Sequence, residues 1–116
     1  MKRGDVYWHA FQAPDKRRPV LILTRDSAIP FLHSVTVAPI TSRVRGIPTE
    51  VLLTLDDGMP HTCAANFDNI QTVPKQKLGA RVTGLSARKL AEVAAAAAFA
   101  LGLDDDAARD PSLRSG

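Results

Sequence analysis

Two basic runs and a group of hydroxyls carry the clearest chemical signal in this chain. Lys16, Arg17 and Arg18 form the first run, Arg43 and Arg45 the second, and Thr41, Ser42 and Thr49 stand around the second. Guanidinium forks match the oxygens of a phosphate and hydroxyls donate to the same oxygens, so these residue types suit phosphodiester binding if the fold brings the two runs together. Other chemistries have less material. His9, His33 and His61 fall in three different segments without metal-ligand spacing, and no glycine-rich phosphate loop is present. No metal and no cofactor is therefore expected. The single cysteine, Cys63, has no partner within the chain for a disulfide or a thiolate cluster, and reads as a small apolar strand residue. His61 and Asp68 have the types needed for proton transfer, with nothing in their spacing to fix a distance.

Those residues need a scaffold, and the apolar pattern supplies one. Short β-branched runs alternate with Pro, Gly and Asp, the rhythm of a small antiparallel barrel. Strands are predicted over 5–11, 19–24, 34–38 and 50–55, the last ending at the Asp57-Gly58 turn signal. A further strand over 63–72 is expected to be interrupted at Asp68, and a short last one covers 80–83. One helix is predicted: Ser86 caps it, Leu85 precedes it as a staple, Leu90, Val93, Ala94, Ala97 and Leu101 share a face, and Gly102 ends it. If the first three strands form an antiparallel meander, residues 12–18 and 39–49 meet at one edge of the sheet. The five cations then share one site with Thr41, Ser42 and Thr49.

Size and charge fit this picture. The chain of 116 residues is about one domain long and can bury a core without staples. Residues 1–103 read as the domain, while 104–116 (DDDAARDPSLRSG) have little to bury and are expected to be disordered. Up to Leu103 there are 13 Lys and Arg against 8 Asp and Glu, so the domain is more basic than the overall net charge of +3 implies. That balance favours a polyanion or an acidic peptide as partner. No signal-peptide or membrane-spanning stretch is apparent, and a cytoplasmic protein with no membrane partner is expected.

Five motifs now stand in order: Arg3-Gly4-Asp5-Val6-Tyr7-Trp8, Arg18-Pro19-Val20-Leu21 followed by Asp26, Val37-Ala38-Pro39-Ile40-Thr41-Ser42, Asn66-Phe67-Asp68-Asn69-Ile70 leading to Thr72, and Gly84-Leu85-Ser86. Together, over residues 3–103, they resemble the MazF/PemK family of toxin endoribonucleases. The resemblance implies an SH3-like, CcdB/MazF-type small barrel with a C-terminal helix, mostly β with one α element. It also implies a homodimer that cuts single-stranded RNA at short sequences and is held inactive by an acidic, MazE-like antitoxin protein. The family's usual catalytic pair corresponds here to Arg18 and Thr41, and its proton-transfer aspartate in some plasmid-borne members to Asp68. Asn66 stands where some members carry arginine. The first loop, 11–17, is short and lacks the Gly-Ser-Glu or Gly-His-Glu element of many members.

The reaction follows from RNA's own chemistry. The 2′-hydroxyl attacks the adjacent phosphate, leaving a 2′,3′-cyclic phosphate and a 5′-hydroxyl, and no metal is needed. Arg18 suits stabilisation of the phosphorane, because a guanidinium is a poor base at neutral pH and a rigid cationic fork. Thr41 adds a neutral hydrogen bond or orients the ribose. Proton transfer falls to Asp68, with Asp15, His61 or Arg18 itself as alternatives. Lys16, Arg17, Ser42, Arg43, Arg45 and Asn66 are expected to bind the RNA, together with Phe67 as one of the few aromatic platforms beside Phe11 and Phe31. Two competing classes are a gyrase-targeting toxin of the same fold and a non-catalytic RNA-binding barrel. The first depends on a C-terminal Trp-Gly-Ile motif, whereas this chain ends Arg114-Ser115-Gly116.

Overall fold

β-branched and aliphatic runs bounded by Gly and Pro become strands here, and their alternation decides which side chains reach each core. In the computed structural model, which describes residues 1–10 and 17–105, the strands are β1 (Asp5–Ala10), β2 (Arg17–Ile22), β3 (Ser34–Thr41), β4 (Glu50–Leu53), β5 (Cys63–Asn66), β6 (Gln71–Pro74) and β7 (Leu78–Gly84). One α-helix follows, α1 (Ala87–Ala100). The spatial order is β4-β5-β3-β2-β1-β7, all antiparallel, with β6 also pairing to β3. The first three strands therefore form the expected meander. The sheet curls without closing, so barrel describes its curvature and not a closed ring of strands.

The long strand β3 organises the molecule. Its first half pairs with β6 through Ser34–Val37 and its end pairs with β5 at Ile40 and Thr41. Between β5 and β6 the chain makes a 3₁₀ turn over Phe67–Asn69, held by the Asn66 side chain accepting from Asp68 N–H at 2.8 Å. This is the interruption anticipated at Asp68. At the other expected turn, Thr54 caps a 3₁₀ turn over Leu55–Asp57, and Gly58 closes it with φ +90°. A Cβ at Gly58 would collide with the Thr83 hydroxyl, which donates to Asp57 O, so both backbone angle and space demand glycine.

Two cores lie on the two faces of the sheet. Val6, Leu21, Ala38, Ile40, Leu53, Cys63 and Phe67 pack under α1 with Val93 and Ala96. Val20, Ile22, Val35, Val37 and Val73 pack on the other face beneath Ile29. The helix is capped by Ser86, whose Oγ accepts from Lys89 N–H at 3.2 Å, and ends at Gly102 with φ +72°. Its buried stripe differs from the predicted one. Val93 and Ala96 are buried, while Ala94 is exposed and Leu101 is 60% exposed. In an Ala-rich helix the small side chains mark no strong phase, so contact with the sheet decides which alanines go inside. The last strand is longer than expected because its outer residues are exposed and carry no alternation. Asp104 and Asp105, predicted as disordered tail, sit in a 3₁₀ turn with Leu103, and residues 106–116 lie outside the described residues. Among the described residues no helix is long and apolar enough to cross a membrane.

Candidate functional site

The β1–β2–β3 register places the chemistry. In β2, Val20 pairs with Pro39 and Leu21 with Ala38; continuing that register by two residues sets Arg18 opposite Thr41. Directly opposed residues project from the same face of a sheet, so the guanidinium and the hydroxyl share a wall. His9 of β1 lies opposite Arg18, and Ala64 of β5 opposite Thr41, which completes a row across four strands.

Arg18 and Thr41 line a cleft of about 540 Å³ together with Arg17, Ser42, Arg43 and His61. A smaller adjoining cleft of about 160 Å³ shares Arg18, Thr41 and Arg43 and adds Arg45, Glu50 and Asn66. Arg17 and Arg18 of the first run thus meet Arg43 and Arg45 of the second across the two adjoining clefts. Arg17 leaves β2 on the face opposite to Arg18 and its guanidinium lies 4.8 Å from the centre of the Trp8 ring, a cation–π contact that orients it. Thr41 Oγ1 accepts from Arg43 N–H at 3.1 Å. That bond uses an oxygen lone pair and leaves the hydroxyl proton to be given to a ligand.

Not every expected residue joins them. Asp68 lines neither cleft: its Oδ2 accepts the Thr49 hydroxyl at 2.7 Å and its own N–H is held by Asn66. Phe67 is 2% exposed, so its expected role as a base-stacking platform is replaced by a core role. The 3₁₀ turn points this ring inward beneath α1. Phe31, by contrast, is 84% exposed. Lys16, Phe11 and Asp15 lie outside the described residues.

The sequence reading missed Glu50. Its Oε1 accepts from Arg45 N–H at 2.9 Å and its backbone N–H donates to Ile47 O at 3.0 Å, so Glu50 ties down the loop that carries the second basic run. Pairing of Glu50 with Asn66 across β4 and β5 is the geometric signal, and it needs the strand register to be seen. Asn69 also lines the smaller cleft.

Two titratable groups at the site have displaced protonation. Burial, and then the Lys77 ammonium, lower the His9 imidazole from its ordinary value of 6.5, which keeps it neutral at pH 7. Burial, and then the Asp57 carboxylate, raise the Cys63 thiol, which holds it protonated and unreactive although it borders the cleft. Among the described residues no three of His, Cys, Asp and Glu stand together as a metal-ligand group.

Known proteins resemble this chain in sequence and in fold. Residues 2–101 match the family model of PemK-like, MazF-like toxins of type II toxin-antitoxin systems. The chain is 44% identical over 90 residues to endoribonuclease MazF3 of Mycobacterium tuberculosis, covering 78% of this chain and 87% of that protein. It is 32% identical over 111 residues to endoribonuclease MazF of Staphylococcus saprophyticus, covering 89% and 92%. Among solved structures, the M. tuberculosis toxin MazF-mt6 superposes with a TM-score of 0.77 at 39% identity, covering 84% of this chain and 96% of that one. A mycobacterial endoribonuclease in complex with its cognate antitoxin superposes at 0.78 with 28% identity, covering 89% and 96%. With the family model matched over nearly the whole described chain and these identities, the chain belongs to the PemK/MazF family of toxin endoribonucleases of toxin-antitoxin systems.

Proposed function

We propose that this toxin cuts single-stranded RNA at short sequences without a metal, using the RNA's own 2′-hydroxyl and leaving 2′,3′-cyclic phosphate and 5′-hydroxyl ends. The observation that carries the reading is the opposition of Arg18 and Thr41 on the wall of one cationic cleft. A phosphate held there meets a rigid guanidinium fork and a hydroxyl with a proton to give. The charge that develops on the phosphorane is then stabilised by groups already in place, usually the largest single contribution an enzyme makes. Arg17, Arg43 and Arg45 bind flanking phosphates, and Ser42 and Asn66 offer hydrogen bonds to ribose or base.

Incubating the protein with a long unstructured RNA in excess EDTA tests this directly. The expected outcome is discrete fragments whose 5′ ends accept phosphate from a kinase without prior dephosphorylation. Products with 5′-phosphates, or activity lost to EDTA, would refute the chemistry. Intact RNA would leave only binding, as a gyrase-targeting or non-catalytic barrel requires.

The protein works in the cytoplasm as a homodimer restrained by an acidic antitoxin. Large apolar side chains standing exposed at Phe31, Leu52, Phe99 and Leu101 support the dimer, and sedimentation should give about 25 kDa, twice the 12.5 kDa chain. Three solved relatives from Deinococcus radiodurans are MazE-MazF complexes, one of them 25% identical to this chain with a TM-score of 0.71. An acidic, largely disordered segment suits the cleft because it can lay carboxylates on Arg18, Arg43 and Arg45 while folding on binding. Such inhibition should weaken with salt and be lost when those three arginines are reversed in charge together.

A further inference from the structure

The proposed reaction leaves one task without an owner: something must take the proton from the attacking 2′-hydroxyl. We infer that His61 is that base, an assignment that rests on the ribonuclease reading above.

The first argument is position. His61 occupies an exposed bend just before β5 and borders the larger cleft with Arg18 and Thr41. The second is the state of its ring. Nδ1 lies 3.1 Å from Thr62 O. A main-chain carbonyl only accepts, so in the neutral ring Nδ1 carries the hydrogen and Nε2 keeps its lone pair. The contact favours this tautomer and this ring orientation, which leave Nε2 open as a general base requires.

The third argument is the fate of the competitors. Among the described residues lining this cleft the other titratable groups are Arg17, Arg18 and Arg43, which are poor bases, and Cys63, whose thiol burial holds protonated. Glu50 belongs to the smaller cleft, where one carboxylate oxygen accepts from Arg45 N–H and the other is buried. Asp68 is engaged by Thr49 and lines neither cleft. The charged or titratable groups that share the cleft with His61, among the described residues, are thus Arg17 and Arg18 from β2, Arg43 from the loop after β3, and Cys63 from β5, whose thiol also feels Asp57.

In the step itself, Nε2 takes the 2′-hydroxyl proton as the O2′–P bond forms and the P–O5′ bond breaks. The departing 5′-oxygen takes a proton from water, and the imidazolium returns its own to the hydroxide so formed. No proton is gained or lost overall.

The test compares wild type, His61→Gln and His61→Asn on a fluorogenic RNA across pH 5 to 8. Asparagine retains a donor near the position of Nδ1 and so can keep the bond to Thr62 O, while removing Nε2. Both variants should keep the wild-type melting temperature, since the side chain is exposed. Both should lose roughly a hundredfold or more in kcat, the usual worth of a positioned base, with KM changed little. The wild-type fall in rate on acidification should vanish in both, and added imidazole should restore part of the rate. Variants that cleave within threefold of wild type, or slow variants that keep the wild-type pH profile, would overturn the assignment while leaving the proposed reaction intact, provided that Arg18→Ala is inactive. A wild-type protein that cuts no RNA, or leaves 5′-phosphates, would bring down the reaction and this assignment together.

Discussion

Removing the Arg18 guanidinium is the sharpest perturbation the site allows. The side chain is exposed at the start of β2 and contributes to neither core, so Arg18→Ala should leave the fold unchanged. In the proposed reaction its cost falls on the transition state. Two unit charges about 4 Å apart interact by about 4 kcal/mol at an effective dielectric near 20. Deleting one preorganised donor to a developing oxyanion typically removes about 3 to 4 kcal/mol, a factor of roughly a hundred to a thousand in kcat. Arg17 does not stand in for it, since it projects from the opposite face and lies over Trp8. Ground-state affinity should fall far less, because Arg18 is one of several phosphate contacts and each contributes only about 0.7 to the salt slope for a single strand. The assay is single-turnover cleavage beside RNA binding by anisotropy at several salt concentrations. Arg18→Lys, which keeps the charge and loses the fork, should fall in between, and Thr41→Ala should cost roughly fivefold, the scale of a neutral hydrogen bond. If Arg18→Ala lowers kcat no more than it lowers affinity, the guanidinium binds substrate without stabilising the transition state, and the reasoning fails.

Three further outcomes follow from burial and protonation. Phe67→Ala should lower unfolding free energy by about 3 to 5 kcal/mol in urea, because the ring sits in the core under α1; a loss below about 1 kcal/mol would return Phe67 to the surface role read from the sequence. His9 has its protonation lowered in the folded state, so the unfolded chain binds its proton first: stability should be full above about pH 6.5 and fall as pH drops towards the folded value, and His9→Gln should flatten that decline in parallel urea titrations at pH 7.5 and 5.5. Cys63 should resist thiol reagents in the native protein and react on unfolding; fast native labelling would contradict its 1% exposure and its raised thiol.

What the sequence revealed and what it concealed divide along physical lines. The meander, the Asp57-Gly58 turn and the break at Asp68 rest on local chemistry: β-branched alternation, a glycine held at positive φ and a side-chain cap. From the meander alone, Arg18 and Thr41 were bound to meet. Phe67 was misread because an aromatic beside a polar motif looks the same whether its ring faces solvent or core, and its place in the core under α1 follows from the 3₁₀ turn over Phe67–Asn69. The helix stripe was misplaced for want of large side chains to mark it. Glu50 escaped notice because its bond to the Arg45 backbone closes a loop, and loop closure leaves no periodicity to read.

That division also separates the tasks within the site. Arg18 and Thr41 are set by strand register, which a paired sheet does not alter without moving whole rows of side chains from one face to the other. Arg43, Arg45 and His61 ride on the segments entering β4 and β5, held by single hydrogen bonds such as those of Glu50 to Arg45 and of His61 to Thr62. Such segments accept substitution and insertion far more readily than paired strands. A scaffold built this way holds the proposed charge-stabilising pair constant while the loops are free to change which bases fit beside it. Exchanging residues 42–49 for the equivalent loop of a relative should therefore move the cleavage sequence and leave the 2′,3′-cyclic phosphate and 5′-hydroxyl ends unchanged, whereas any change that shifts β2 against β3 by one residue should abolish cleavage of every sequence.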